Sequence, residues 1–195
     1  MTSNPKPLPP VRLVGHPSPR AERGGEKLAA ATVYVSLGSN IAPEANLRRA
    51  VQLLRSKTAV TAVSAAYRTA PQGFVEQADF LNMAVCLRSS FDPLTLKQAV
   101  LDWIEQELGR VRDPNNKNAA RTIDLDISLW DDAVFEYGEK PWRVPDPDIA
   151  RFAHVAIPLA EIAPEYVHPV EQVTLAAIAA RFDGETFGHF SLSLT

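Results

Sequence analysis

Residues 121–129 read Arg-Thr-Ile-Asp-Leu-Asp-Ile-Ser-Leu, and no other stretch restricts the fold as much. Ile123, Leu125, Ile127 and Leu129 alternate with Asp124, Asp126 and Ser128. That period of two predicts a half-buried β-strand. Asp124 and Asp126 then share one face, roughly 7 Å apart along the strand. Like charges on one face repel unless something neutralises them. A hard divalent cation such as Mg²⁺ does so, taking a few carboxylates together with waters and substrate phosphates. Arg121, just before the pair, can hold a phosphate. The plainer alternative is a solvated strand face that carries two charges.

The flanking pattern is regular from Ala31 onward. Residues 32–37 read as a first strand, and Gly38-Ser39-Asn40 as the turn after it. Pro43 can open a helix, along which Leu47, Ala50, Val51 and Leu54 form an apolar stripe. Residues 60–67 read as a second strand, with Val60 and Val63 its β-branched members. Residues 67–79 include Pro71 and Gly73, lack periodicity and predict a long loop. Residues 80–87 form a third strand. Leu81, Met83, Val85 and Leu87 share one face, and Phe80, Asn82, Ala84 and Cys86 the other. Asp92 and Pro93 suit the cap and first position of a helix through Leu96, Val100, Trp103, Ile104 and Leu108, which Gly109 stops. Residues 122–130 are the fourth strand. The order β-α-β-β-α-β predicts an α+β fold with a ferredoxin-like βαββαβ core. Two helices would cover one face of an antiparallel sheet. The other face would be free for a ligand and for C-terminal additions, where 152–159 is apolar and 175–182 suits a short helix.

A chain of 195 residues can build one sound core. Its net charge of −3 exerts no global pull toward nucleic acid. Cys86 is the single cysteine, which excludes an intramolecular disulfide and a cysteine-rich metal site. No apolar run reaches the roughly 18–20 residues of a membrane span, and the N-terminus lacks the apolar region of a signal peptide. The expectation is a cytoplasmic protein, monomeric or weakly homodimeric, with small-molecule substrates and neither nucleic-acid nor membrane partners. Residues 1–30 scatter Pro5, Pro7, Pro9, Pro10, Pro17 and Pro19 among Lys, Arg, Gly and Ser. That composition suits neither a regular helix nor a central strand. It predicts a disordered Pro-rich extension ahead of a domain spanning 31–195.

Arg110, Arg112, Lys117 and Arg121 crowd the segment before the paired carboxylates. Arginine forks match phosphate oxygens bidentately. Metal-binding carboxylates beside arginines suit phosphoryl-type transfer, where positioning and charge neutralisation carry most of the catalysis. The chain has no Walker-type glycine loop and no G-x-G-x-x-G, so a nucleotide would be gripped by side chains. The loop cations have no evident internal partners, and phosphates would supply them. Phe80 and Asn82 share a strand face, offering a ring to stack on and an amide to read the edge of a flat heterocycle. Plain packing is the alternative for that pair.

Together these residues resemble the 6-hydroxymethyl-7,8-dihydropterin pyrophosphokinase family of the folate pathway. The resemblance runs from about Thr32 to Pro169. It rests on the joint order of Leu37-Gly38-Ser39-Asn40, Tyr67-Arg68-Thr69, Asp79-Phe80-Leu81-Asn82, Ile104-Glu105 with Leu108-Gly109-Arg110, Arg121-Thr122-Ile123-Asp124-Leu125-Asp126, and Pro158-Leu159-Ala160-Glu161-Ile162-Ala163-Pro164. It implies transfer of pyrophosphate from ATP to a pterin hydroxymethyl group, with release of AMP. It further implies that Asp124 and Asp126 bind two Mg²⁺ ions. Arg110, Arg112 and Arg121 would act with them. Glu105, Arg112, Lys117, Arg121 and Ile127 would contact ATP, and Thr69, Phe80, Asn82 and His154 would line the pterin pocket.

Several positions depart from the family pattern. Lys117-Asn118-Ala119-Ala120-Arg121 stands where Arg-Trp-Gly-Pro-Arg is usual, so the tryptophan that would cap the pterin is absent. Asp146 follows Val144-Pro145 in place of a histidine, and His154 stands where a second aromatic is expected. Ala70-Pro71-Gln72 replaces a Pro-Pro-Leu-like run. The phosphate half is intact and the pterin half altered. A diverged paralogue acting on another pteridine or related heterocycle is one alternative. A non-catalytic nucleotide- or pterin-binding module is another, against which Asp124, Asp126 and Arg121 argue. RNA binding is disfavoured, because the aromatic RNP1 pattern is absent and the net charge is negative.

Overall fold

The computed structural model describes residues 29–71, 76–112, 119–139, 141–183, 188–190 and 192. Residues 1–28 of the expected extension lie outside these. β1 (Ala31–Ser39) leads into α1 (Pro43–Lys57), which Pro43 opens from its first turn. β2 (Ala59–Val63), β3 (Ala66–Thr69) and the long β4 (Phe80–Ser89) follow. α2 (Pro93–Leu96) is capped by Asp92, whose carboxylate accepts from the Thr95 N–H at 3.0 Å. It passes through one π-helical turn, Lys97–Leu101, into α3 (Asp102–Glu107). β5 (Asp124–Trp130) ends the core. After it come a hairpin of β6 (Phe135–Tyr137) and β7 (Trp142–Val144), then α4 (Ala153–Ile162), α5 (Leu175–Ala179) and β8 (Gly188–Phe190).

The main sheet has the order β5-β1-β4-β3-β8, with β2 also paired to β4. Its neighbouring strands are antiparallel throughout. This is the expected ferredoxin-like α+β core with C-terminal additions. Three local expectations are corrected. The single strand expected over 60–67 is split into β2 and β3. Ser64 sits between them, donating its N–H to the Ala84 carbonyl at 2.9 Å and accepting the Ala84 N–H on Oγ at 2.8 Å. The serine side chain thus replaces a backbone ladder partner where the strand breaks. Gly38 and Ser39, expected in a turn, are strand residues of β1 paired with Asn82 and Leu81. The helix expected through Leu108 contains the π-helical turn.

The sheet separates two apolar layers. Leu47, Leu54, Val85, Leu87, Leu101 and Leu125 belong to the core shared with α1, α2 and α3. On the opposite face Ala84, Leu129, Val155, Leu159, Leu175 and Ile178 pack under α4 and α5. That second layer covers only part of the face. Ser36, Gly38, Asn82, Asp124 and Asp126 remain open to a cavity. Cys86 is buried on the same face, as its apolar surroundings predict.

β5 lies at the rim of the sheet, and an unpaired rim invites wrong pairing. The α2–α3 segment covers it with side chains. Lys97 Nζ donates to the Leu125 carbonyl at 2.7 Å, and Glu105 accepts the Leu125 N–H at 3.0 Å. Arg110 donates to the Ile123 carbonyl at 3.0 Å. No described helix is long and apolar enough to cross a membrane.

Leu125 is fully buried between this segment and the sheet. Leu125→Ala should destabilise the protein by about 2–5 kcal/mol, read from urea unfolding. Val134, 62% exposed, serves as the control. Val134→Ala should stay within about 0.5 kcal/mol of the parent. Equal effects at the two positions would contradict the placement of the core.

Candidate active site

A cavity of about 470 Å³ opens over the ends of β1, β4 and β5. Gly38 is at its centre, paired with Asn82 on one side and Asp124 on the other. A Cβ at Gly38 would lie 3.0 Å from Asn82 Oδ1, closer than real Cβ atoms tolerate without movement of a neighbour. The glycine therefore keeps the floor open between the amide and the carboxylate. Asn82 Nδ2 donates to Thr69 Oγ1 at 2.9 Å, and both residues are largely buried. Phe80 lines the same wall, with the Arg121 guanidinium 5.8 Å from its ring centre. Thr69, Phe80 and Asn82, expected together from the sequence, are thus brought together.

Asn40 joins the loops on either side. Its Nδ2 donates to Gln77 Oε1 at 2.9 Å and the Ala78 carbonyl at 3.2 Å, while its Oδ1 accepts the Arg121 N–H at 2.7 Å. Ser39 Oγ donates to the Thr122 carbonyl at 2.5 Å. Arg121 therefore approaches the cavity on a fixed backbone.

The carboxylates are already matched with cations. Asp124 accepts from Arg110, and from Arg121 at 2.5 Å. Burial works against its ionisation, but the two guanidiniums hold its carboxyl below the usual range. Desolvation by the cavity walls and the neighbouring Asp124 charge push the Asp126 carboxyl up, opposed by Lys97 Nζ at 3.3 Å. Lys97 is only 1% exposed. Desolvation would lower its pKa, yet Asp126, Glu105 and Asp102 hold it above its ordinary value.

The expectation that the loop cations lack internal partners is corrected. Arg110 is largely enclosed, against Glu105 at 2.8 Å, the Ile123 carbonyl and Asp124. Arg112, more exposed, reaches Glu105 at 2.8 Å and Asp102 at 3.4 Å. Glu105 was expected to contact the nucleotide. It is 2% exposed and occupied by Leu125, Arg110 and Arg112, so it holds the arginines in place. Ile127 is packed in the helix-side core, so its side chain lies away from the Asp126 face and does not line the cavity. Lys117 lies outside the described residues.

The opposite wall carries Asp146, Asp148, Phe152 and His154. Burial raises the Asp146 carboxyl to about 7, although the Asp148 N–H donates to it at 2.9 Å. His154 stacks on Phe152 with ring centres 5.3 Å apart. Burial lowers the His154 pKa, which favours the neutral imidazole. Arg151, just before Phe152, is exposed and pairs with Asp148 at 3.2 Å. Gly38, Lys97 and Asp146 were not among the expected site residues. The signals were a glycine inside an apolar alternation, a lysine on the apolar side of a helix, and the departure after Val144-Pro145.

The donor set suits a magnesium ion shared with a substrate. Asp124 and Asp126 both line the cavity, two residues apart on one face of β5. Among the described residues no cluster of His, Cys, Asp and Glu could hold a metal by itself. Mg²⁺ commonly takes one or two carboxylates and completes its shell with water and phosphate oxygens.

Residues 34–164 match the family described as 7,8-dihydro-6-hydroxymethylpterin-pyrophosphokinase (HPPK). The chain belongs to that family. It is similar to the 2-amino-4-hydroxy-6-hydroxymethyldihydropteridine pyrophosphokinase of Bacillus subtilis, 41% identical over 155 residues that cover 78% of this chain and 86% of the relative. It is also similar to the Folic acid synthesis protein FOL1 of Dictyostelium discoideum, 28% identical over 143 residues, which are 73% of this chain and 21% of that one. Among solved structures, Plasmodium falciparum HPPK-DHPS A437G/K540E with pterin and p-hydroxybenzoate superposes with a TM-score of 0.66 at 12% identity, over 81% of this chain. The chain spans 44% of that longer protein, and the likeness at this identity establishes the shared fold. Within the pyrophosphokinase family, then, this chain has a charged wall with Asp124, Asp126 and Arg121, and an opposite wall that carries Asp146 and His154.

Asp146 yields a pH test. An exposed Asp loses its proton near pH 4, whereas folded Asp146 retains its own to about 7. Between those values the folded state binds more protons than the unfolded state, so this contribution to stability declines as pH rises. It is complete below the unfolded pKa and lost on passing the folded one. Asp146→Asn preserves the cap and removes the titration. Its melting temperature relative to the parent should therefore rise between pH 5 and pH 8. A difference that stays constant with pH would place the carboxylate in an ordinary solvated setting.

Proposed function

We propose that this chain transfers the pyrophosphoryl group of ATP to the hydroxymethyl group of 6-hydroxymethyl-7,8-dihydropterin, releasing AMP, as a step of folate biosynthesis. It is a diphosphotransferase. One observation carries the reading. Across the single residue Gly38, a pair suited to a heterocycle faces a pair suited to metal and phosphate, within one cavity.

Asn82 and Thr69 read the hydrogen-bonding edge of the pterin, and Phe80 offers a face for stacking. The acceptor hydroxyl oxygen forms a bond to the β-phosphorus as the bond from that phosphorus to the α,β-bridging oxygen breaks. AMP leaves with the bridging oxygen, and the hydroxyl proton passes to solvent. Arg121 lies between the two halves, on Asp124 and over Phe80, placed to exchange its carboxylate for phosphate oxygens. Arg112, more exposed than Arg110 and Arg121, meets the outer phosphates. Asp124 and Asp126 would hold two magnesium ions. Such ions, when bound, neutralise phosphate charge and stabilise the attacking and leaving oxygens.

Asp146 and the stacked Phe152–His154 pair favour a second reading of the acceptor, a related pteridine in place of the usual dihydropterin. Incubation with ATP, Mg²⁺ and 6-hydroxymethyl-7,8-dihydropterin, with AMP as the readout, tests the main proposal. Related pteridines in parallel reactions distinguish the acceptors.

Asp124→Ala and Asp126→Ala should each lower turnover by about 10²-fold or more, the scale on which lost electrostatic stabilisation registers, with the circular dichroism spectrum retained. Undiminished turnover in excess chelator would contradict the metal assignment. His154→Phe should tighten the usual dihydropterin about fivefold, the equivalent of one aromatic pair near 1 kcal/mol. A destabilised variant with unchanged affinity would make His154 a packing residue.

A further inference from the structure

Lys97 is the described buried charge for which the transfer reaction supplies no role. Its side chain is 2% exposed and reaches the rim of β5 through the π-helical turn. Nζ lies 2.7 Å from the Leu125 carbonyl, 3.3 Å from Asp126 Oδ1, 3.3 Å from Asp102 Oδ1 and 3.8 Å from Glu105 Oε1. Lysine is rarely buried this fully unless paired. Replacing a buried ion pair with apolar packing is often neutral or stabilising, so such pairs are weak evidence of a role in stability. A leucine would fill the helix–sheet space without any of these charges.

The surrounding charges give it a role. Asp102, Glu105, Asp124 and Asp126 are matched by Lys97, Arg110, Arg112 and Arg121. A cluster balanced in this way has little net attraction for a bare divalent ion. An arriving triphosphate changes the balance, since arginines that turn to it release carboxylate oxygens. Lys97 cannot follow, because it is enclosed. It stays on Oδ1 of Asp126, whose side chain remains 47% exposed toward the cavity.

We propose that Lys97 is a positioning residue that grips one oxygen of Asp126 from behind and makes divalent-ion binding conditional on the triphosphate. This rests on the reading of Asp124 and Asp126 as metal ligands. Without nucleotide, the ion competes with a fixed ammonium for Asp126. With nucleotide, phosphate charge outweighs that competition. Metal and nucleotide thus bind with positive coupling, and the coupling is reciprocal.

The test is titration with Mn²⁺, free ion measured by electron paramagnetic resonance, with and without a nonhydrolysable ATP analogue. Without nucleotide, Lys97→Met should bind Mn²⁺ about tenfold tighter, the effect of removing one nearby charge at intermediate dielectric. The enhancement produced by the nucleotide should shrink by a similar factor. Lys97→Arg should restore weak binding. Should Lys97→Met fail to fold, Asp102→Asn gives the opposite test. Asp102 is partly exposed, and its loss leaves more of the lysine charge on Asp126, so Mn²⁺ should bind severalfold more weakly. A folded Lys97→Met with parental Mn²⁺ affinity, or an Asp102→Asn variant with parental affinity, would overturn the proposal. Asp126→Ala separates the two levels. If it leaves nucleotide-dependent Mn²⁺ binding intact, the metal reading itself falls. If it abolishes binding while Lys97→Met changes nothing, only the role of Lys97 falls.

Discussion

The register of β1 between β4 and β5 is the constraint on which the site depends. Gly38 meets Asn82 on one side and Asp124 on the other, because Val33, Val35 and Leu37 are fixed in the helix-side core. Side chains alternate between faces, so a slip of one residue would turn the carboxylates into that core and the apolar residues out. Leu125 and Ile127 place Asp124 and Asp126 by being buried on the opposite face. The chemistry is held by apolar residues that never touch a ligand.

The second determinant is the covering of the β5 rim. The backbone groups of Leu125 and Ile123 that point outward are satisfied by Lys97, Glu105 and Arg110. Two of these, Lys97 and Arg110, also hold Asp126 and Asp124. One set of contacts therefore protects the edge and sets the charge of the site. Displacement of Glu105 would free a backbone N–H and loosen two arginines together. The π-helical turn explains how Lys97 enters the set, since it shifts the phase of the helix at Lys97–Leu101 while α3 still presents Glu105. Such turns are frequent at functional sites.

Much of this was legible in the sequence because it depends on periodicity. The alternation around Asp124, the stripe in α1 and the faces of β4 each follow from a local pattern, and they led to the ferredoxin-like order. The grouping of Thr69, Phe80 and Asn82 was legible for the same reason. Contacts distant in the chain were not. Lys97 reads as an ordinary helical lysine until the rim of β5 is placed against it. Glu105 reads as a nucleotide contact until Leu125 occupies it. Gly38 reads as a turn residue because glycine is common in turns, whereas here it clears the space in front of Asn82. Ser64 interrupts a strand whose composition gives no sign of a break, since its partner Ala84 is twenty residues away.

The two halves of the cavity differ in how firmly they are determined. On the phosphate side Asp124 and Glu105 each have more than one cationic partner and Asp126 is held by Lys97, while Asn40 and Ser39 fix the backbone that carries Arg121 and Thr122. A change at Arg110 would disturb edge and charge together. On the acceptor side Asp146 caps its own short turn, and Phe152 and His154 stack on each other near the start of α4. These side-chain contacts are local, while the wall's backbone is tied to the sheet where the Asp146 N–H donates to the Ser128 carbonyl at 2.9 Å. Replacing the Asp146 or His154 side chain therefore leaves the register of β1 and the ion pairs of the charged wall in place.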